Sequence, residues 1–287
     1  MTHREATSLS KAAVYFGVLI FCLSAGTTGS FAQVSIAPTS LFFDSQSRFS
    51  SLTVSNGGQQ AQEIAISTEF GYPTTDENGN LTIANDSLMA EEKSLAPWMK
   101  IFPQNFTLQP NQRQVVRFVT QPPPSLDAGG YWSRVQISSN PVSPPIEEVE
   151  EGQVGAQINL VVNQVIAAHF RTKGAETGVE VTDVAFTQVD STDTGQIAVL
   201  MEQTGNAPFI GSISVEVTGP GGETVYEQTT TNSVYTTITR NFSFDLGDLE
   251  PGTYNVSGSV QSQRRDISRE NLLQIDPVEF ERTITIE

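Results

Sequence analysis

The sequence predicts an all-β protein built from two successive β-sandwiches. Three observations lead to that expectation. Beyond residue 33 the chain is a series of short runs rich in Val, Ile, Thr and Phe, alternating apolar and polar, with no sustained helical period. Gly-, Pro- and Asn-containing turns separate these runs. The pattern restarts after the small, polar stretch Arg171–Gly178, so the runs fall into two groups of similar size.

The first 32 residues stand apart from this pattern. A polar start carrying Arg4 and Lys11 leads into the apolar run Ala12–Gly26, and Ser30-Phe31-Ala32 precedes Gln33. That combination predicts a secretory signal peptide over 1–32, cleaved after Ala32, and a periplasmic destination. Phe21 before Cys22 speaks against a lipid-modified start, because that position needs a small side chain. No apolar run approaches the roughly 20 residues needed to span a bilayer. Cleavage removes Cys22 and His3, leaving one histidine, His169, and no thiol. Disulfides, thiolate metal sites and cysteine nucleophiles are thereby excluded from the mature chain. The net charge of −17 becomes slightly more negative with the loss of the signal. Such acidity argues against nucleic acid and anionic membrane as partners.

The first domain is expected over 33–172. Val34–Asp44 opens it, with Ile36, Leu41 and Phe43 as core candidates. Ser50–Ser55 is a strand closed by Asn56-Gly57-Gly58, and Gln62–Glu69 alternates through Ile64 and Ile66 until Pro73 breaks it. Residues 74–87 read as a polar loop with a turn at Asn78-Gly79. Two short strands follow around the Pro103 and Pro110 turns, with Val115, Arg117 and Val119 alternating against Val116, Phe118 and Thr120. Gly129–Pro141 is another strand, then a Pro-rich and acidic loop including 146–152, then the run Gln157–Arg171. The second domain, 173–287, is patterned in the same way. It has strands at 179–190 and 195–206, a hairpin turning on Gly219-Pro220-Gly221-Gly222, and further strands to the end. Leu249-Glu-Pro-Gly-Thr-Tyr254 reads as a tyrosine corner, the capping device of immunoglobulin-like sandwiches.

No catalytic constellation is present, so an enzyme is not expected, nor any cofactor or metal. Asp76–Asn80 and Asp190–Gly195 lack the closing Glu of a calcium loop and read as turns. The acidic stretch 146–152 reads as a solvated loop.

Gln157–Arg171 is the unusual feature. It holds no Gly or Pro, is about three times the usual strand length, and is apolar in both registers. Ile158, Leu160 and Val162 form an apolar run on one face before Gln164 interrupts it. Either they enter their own domain's core, or that face finds cover in a partner or in the second domain.

The order of these blocks resembles periplasmic pilus-assembly chaperones. The most specific part is Pro-x-x-Phe-x-Leu-x-Pro-x-x-x-Gln-x-x-Arg from Pro103 to Arg117, followed by Gly129-x-Tyr131; the likeness covers 34 to about 172. It implies two immunoglobulin-like domains in an L or boomerang arrangement. It also implies that Ile158, Leu160 and Val162 are donor side chains, offered to an incomplete secreted pilin-like or β-rich subunit by strand addition. An outer-membrane usher is the further partner it implies, and Arg171 matches the family arginine that pins the two domains through an ion pair. The chain departs from the pattern at one point. The basic pair that grips the subunit's terminal carboxylate falls on Ser40 and Ala167. Arg117, Arg134 or Lys100 are the candidate substitute charges. Two readings follow: a periplasmic chaperone-like binding protein that assists folding and assembly, or a structural two-sandwich surface or matrix protein. Self-association through strand edges is left open by both.

Overall fold

The computed structural model describes residues 34–76, 79–142, 160–189 and 193–287. The expected signal peptide, the acidic loop 146–152 and Ile158 lie outside these residues. The first half contains β1 (Val34–Ala37), β2 (Ser40–Asp44), β3 (Phe49–Asn56), β4 (Gln62–Glu69), β5 (Tyr72–Thr75), β6 (Leu81–Ala84), α1 (Ser87–Lys93), β7 (Met99–Phe102), β8 (Asn105–Leu108), β9 (Arg113–Thr120), β10 (Gly130–Pro141) and β11 (Val162–Arg171). They form two sheets, ordered β1-β3-β9-β7 and β2-β11-β10-β4-β8. The opening segment is shared between them. β1 pairs antiparallel with β3, the chain crosses at Pro38, and β2 then runs parallel to β11.

Alternation decides what each strand buries. Leu52, Val54, Val116 and Phe118 from one sheet and Leu41, Phe43, Ile66, Val135, Ile166 and Phe170 from the other fill the first core. Their neighbours in sequence are thrown outward.

The second half contains β12 (Val179–Val189), β13 (Thr194–Gln203), β14 (Phe209–Thr218), β15 (Thr224–Val234), β16 (Thr237–Asp245), β17 (Gly252–Gln261) and β18 (Val278–Ile286). Sheets β12-β13-β16 and β15-β14-β17-β18 enclose a second core around Val199, Phe209, Val215, Phe242 and Val256. Tyr254 donates its hydroxyl hydrogen bond to the carbonyl of Glu250 at 2.8 Å, the expected tyrosine corner. Tyr131 on β10 does the same to Asp127 at 3.1 Å. Both halves are thus immunoglobulin-like sandwiches with the same capping device.

The stretch 74–87 is more ordered than a polar loop. β5 and β6 form a hairpin, and α1 is capped by Asp86, whose carboxylate accepts from the backbone N–H of Leu88 at 2.8 Å and Met89 at 3.1 Å. Its strands are short and polar because their cover is tertiary. Tyr72 packs with Phe70, Trp132 and Tyr235 in a third apolar cluster, and Ala84 lies against it. Tyr235 comes from the second sandwich, 5.1 Å from Trp132 and 6.1 Å from Tyr72 between ring centroids.

The hairpin also reaches β16, the edge strand of its sheet. Thr239 N–H donates to Thr75 Oγ1 at 2.9 Å, Thr74 Oγ1 donates to the Thr237 carbonyl at 3.3 Å, and Asn241 Nδ2 donates to the Gly79 carbonyl at 3.1 Å. Near the linker Gly130 N–H donates to the Asn206 carbonyl at 3.0 Å. A Cβ on Gly130 would stand 2.8 Å from both Ala207 Cβ and Pro208 Cδ, so only glycine permits this approach.

Candidate functional site

The site is the N-terminal half of β11 and the sheet face beside it. β11 pairs with β10 over its whole length, Val162 to Arg171, but with β2 only from Ala167 to Arg171. Val162–Ile166 therefore present a free strand edge among the described residues. Ile166, Ala168 and Phe170 enter the core. Gln164, next on that face, is half-buried, and its Nε2 donates to the Val34 carbonyl at 3.0 Å, bridging to the other sheet. Beyond this bridge the described residues leave that face uncovered. Val162 is 43% exposed and Leu160, two residues before the strand, is 71% exposed. Val161 and Val165, in the other register, are exposed as well.

The apolar pattern predicts a strand from Gln157; the structure begins it at Val162. The last pair joins Val162 to Ser139; β10 runs on to Pro141 paired with β4, so Leu160 and Val161 carry the apolar pattern past the β10–β11 ladder.

Ser40 and Ala167 are directly opposite one another, and the same row runs on through Arg134 to Glu69 on β4. Arg134 Nη1 lies 3.1 Å from Glu69 Oε1 and keeps about a quarter of its side chain exposed. Arg134 thus places a cation one strand away from Ala167, on the same face. Arg117 and Lys100 do not join it. β9 gives Val116 and Phe118 to the core, so Arg117 points outward from the opposite sheet, and Lys100 on β7 shares that outer face. Neither side chain stands beside β11.

The next row pairs Phe42, His169 and Trp132. The His169 ring stacks on Phe42 at 5.3 Å, and its Nε2 is 3.5 Å from the Tyr235 hydroxyl. Burial of the ring, with Arg264 as a lesser cause, lowers its pKa to about 4. Burial raises that of Tyr235, while Arg264 opposes the rise. Arg264 belongs to the second sandwich, where its Nε donates to Asp266 Oδ1 at 2.9 Å and holds that carboxyl below its ordinary range. Nothing local in the sequence marked Arg264 as a neighbour of His169; about a hundred residues separate them in the chain.

Arg171 does bridge the halves, by a different bond from the expected one. Its Nη2 donates to the Glu270 carbonyl of the second sandwich at 3.0 Å, while its ion-pair partner, at 3.9 Å, is Asp44 of its own sheet. Among the described residues no group of His, Cys, Asp or Glu is arranged to hold a metal.

This is a two-sandwich immunoglobulin-like protein with an open strand edge along the first half of β11 among the described residues. No family model and no curated sequence matches it. Solved structures with similar chains include the CsuC–CsuE chaperone–tip adhesion subunit pre-assembly complex of archaic chaperone-usher Csu pili from Acinetobacter baumannii, with a TM-score of 0.45, 9% identity, and coverage of 86% of this chain and 98% of that one. The CupB2 chaperone of Pseudomonas aeruginosa gives 0.41 and 13%, covering 87% and 100%. The Salmonella enterica SafA pilin in complex with the SafB chaperone gives 0.41 and 13%, covering 88% and 98%.

Proposed function

We propose that the protein is an exported, chaperone-like binding protein that offers the edge of β11 to an incomplete β-rich surface subunit. One observation supports this above the rest: Val162–Ile166 keep a free edge while Leu160 and Val162 stand uncovered on the face that continues the core. An unpaired strand with alternating apolar side chains has what strand addition needs. The backbone ladder supplies affinity, and the alternate side chains supply selectivity. The resemblance in Pro103–Arg117 and Gly129–Tyr131 suggests the partner class, a pilin-like subunit of the periplasm. In this reading 1–32 is the export signal, 33–172 the strand-offering domain and 173–287 its companion. No helix among the described residues is long and apolar enough to cross a membrane.

Arg134 is the residue suited to take the subunit's terminal carboxylate. It shares a row with Ser40 and Ala167, remains partly exposed, and would exchange Glu69 for the incoming carboxylate in a charge-assisted bond. Leu160→Asp with Val162→Asp is expected to abolish copurification of a subunit from the native periplasm while circular dichroism stays unchanged. Undiminished copurification would remove the proposal. Arg134→Ala is expected to weaken retention about tenfold; equal retention would reassign the anchor. Ser40 and Ala167 favour the alternative, a structural two-sandwich surface protein without a client, and a protein that purifies alone from its native compartment would support that reading.

A further inference from the structure

The outer face of the β1-β3-β9-β7 sheet differs from the rest of the molecule. The chain carries 32 acidic and 15 basic residues, yet none of these four strands contains an Asp or Glu. Their outward positions fall into rows fixed by the pairing. Lys100 lies opposite Val119, which lies opposite Phe49; Phe102 lies opposite Arg117, which lies opposite Ser51; Val115 and Arg113 continue the face along β9. Phe49 is 70% exposed, Phe102 61% and Val115 47%. Lys100, Arg113 and Arg117 have no ion-pair partner among the described residues. Arg113 and Arg117 sit four residues apart on one strand, about 13 Å, with apolar side chains between and beside them. Arginine and aromatic side chains together, without acids, are the composition of an interface centre.

We propose that this face docks a partner protein through an acidic surface carrying apolar side chains. The reading is independent of β11, whose free edge belongs to the other sheet. Charge decides the class of occupant. The unpaired cations ask for carboxylates, and Phe49, Phe102 and Val115 ask for apolar cover, which a simple polyanion does not provide. An anionic lipid surface also meets both demands locally, but it is an extended plane of negative charge that would face the whole molecule with its net charge of −17, whereas an acidic patch on a protein need face only these cations.

The test uses the full mature chain and a short fluorescent peptide that alternates Glu with Val and Phe, beside the same peptide with Lys for Glu. Binding of the Glu peptide alone is expected, weakening as salt rises. Phe102→Ser with Arg117→Glu, both at exposed positions, should lower that affinity at least about tenfold. Leu160→Asp with Val162→Asp should leave it unchanged, which separates this face from the β11 edge. Equal binding of the two peptides, or loss only in the β11 variant, overturns the proposal. So does binding of the wild type, but not of the Phe102/Arg117 variant, to phosphatidylglycerol vesicles, which would make the occupant a lipid surface. A dimer in sedimentation that the same variant dissolves would overturn it too, making the occupant a second copy.

Discussion

His169 shows what one residue contributes when its environment is set by two domains. Its ring stacks on Phe42 and stands 6.0 Å from the ring of Tyr235, and only part of the residue is left to solvent. The folded pKa of about 4 lies below the ordinary 6.5. Between these values the unfolded chain binds a proton that the folded chain rejects. Stability therefore rises with pH through this window and is fully present above about 6.5. It falls as pH drops toward 4 and changes no further below the folded value. The span is on the order of 3 kcal/mol at most, because one pKa unit corresponds to about 1.4 kcal/mol. Denaturant unfolding of wild type and His169→Phe across this range should show the wild type losing ground to the variant as pH falls. Parallel profiles would refute the assignment. In the sequence His169 is the one histidine beyond residue 32. Its neighbours Tyr235 and Arg264 come from the other sandwich and were not legible there.

At the scale of the element, β11 and the β5–β6 hairpin make opposite uses of the strand edge. β11 leaves five residues of its edge unpaired among the described residues, and the hairpin closes an edge on β16 that would otherwise be open. The closure uses threonine side chains in place of a backbone ladder. Thr75→Val, which keeps the shape and removes the acceptor for Thr239 N–H, is expected to cost about 1 kcal/mol and to speed hydrogen exchange at the Thr239 amide. Unaltered exchange would show that the hairpin does not guard the edge. Alternation made most strands readable from sequence. It failed for 72–84 because Pro73, Thr74 and Thr75 look like loop, and only Tyr235 and β16 give that segment a reason to be a hairpin.

At the scale of the molecule, the two sandwiches share apolar surface rather than a bare linker. Tyr235 packs against Tyr72 and Trp132 of the other half, and the Gly130–Asn206 bond brings the backbones together. Domains joined through a shared buried cluster are expected to unfold together. Calorimetry of residues 33–287 should give one transition. Tyr235→Ala removes the second sandwich's ring from the cluster, at a cost of about 3 kcal/mol, and should split the transition in two. Two transitions already in the wild type would mean that the cluster does not couple the halves.

The sequence by itself determined the fold class, because alternation and turn residues report which side of each strand meets a core. It also marked Gln157–Arg171 as too apolar for one sandwich, and Tyr254 as a corner. Which charge stands beside Ala167 was a tertiary decision. Arg134, Arg117 and Lys100 were equivalent cations on strands until pairing put Arg134 in the row and core packing turned the other two to the opposite face. Register and sheet membership depend on long-range pairing, and a side chain's address on a sandwich follows from both.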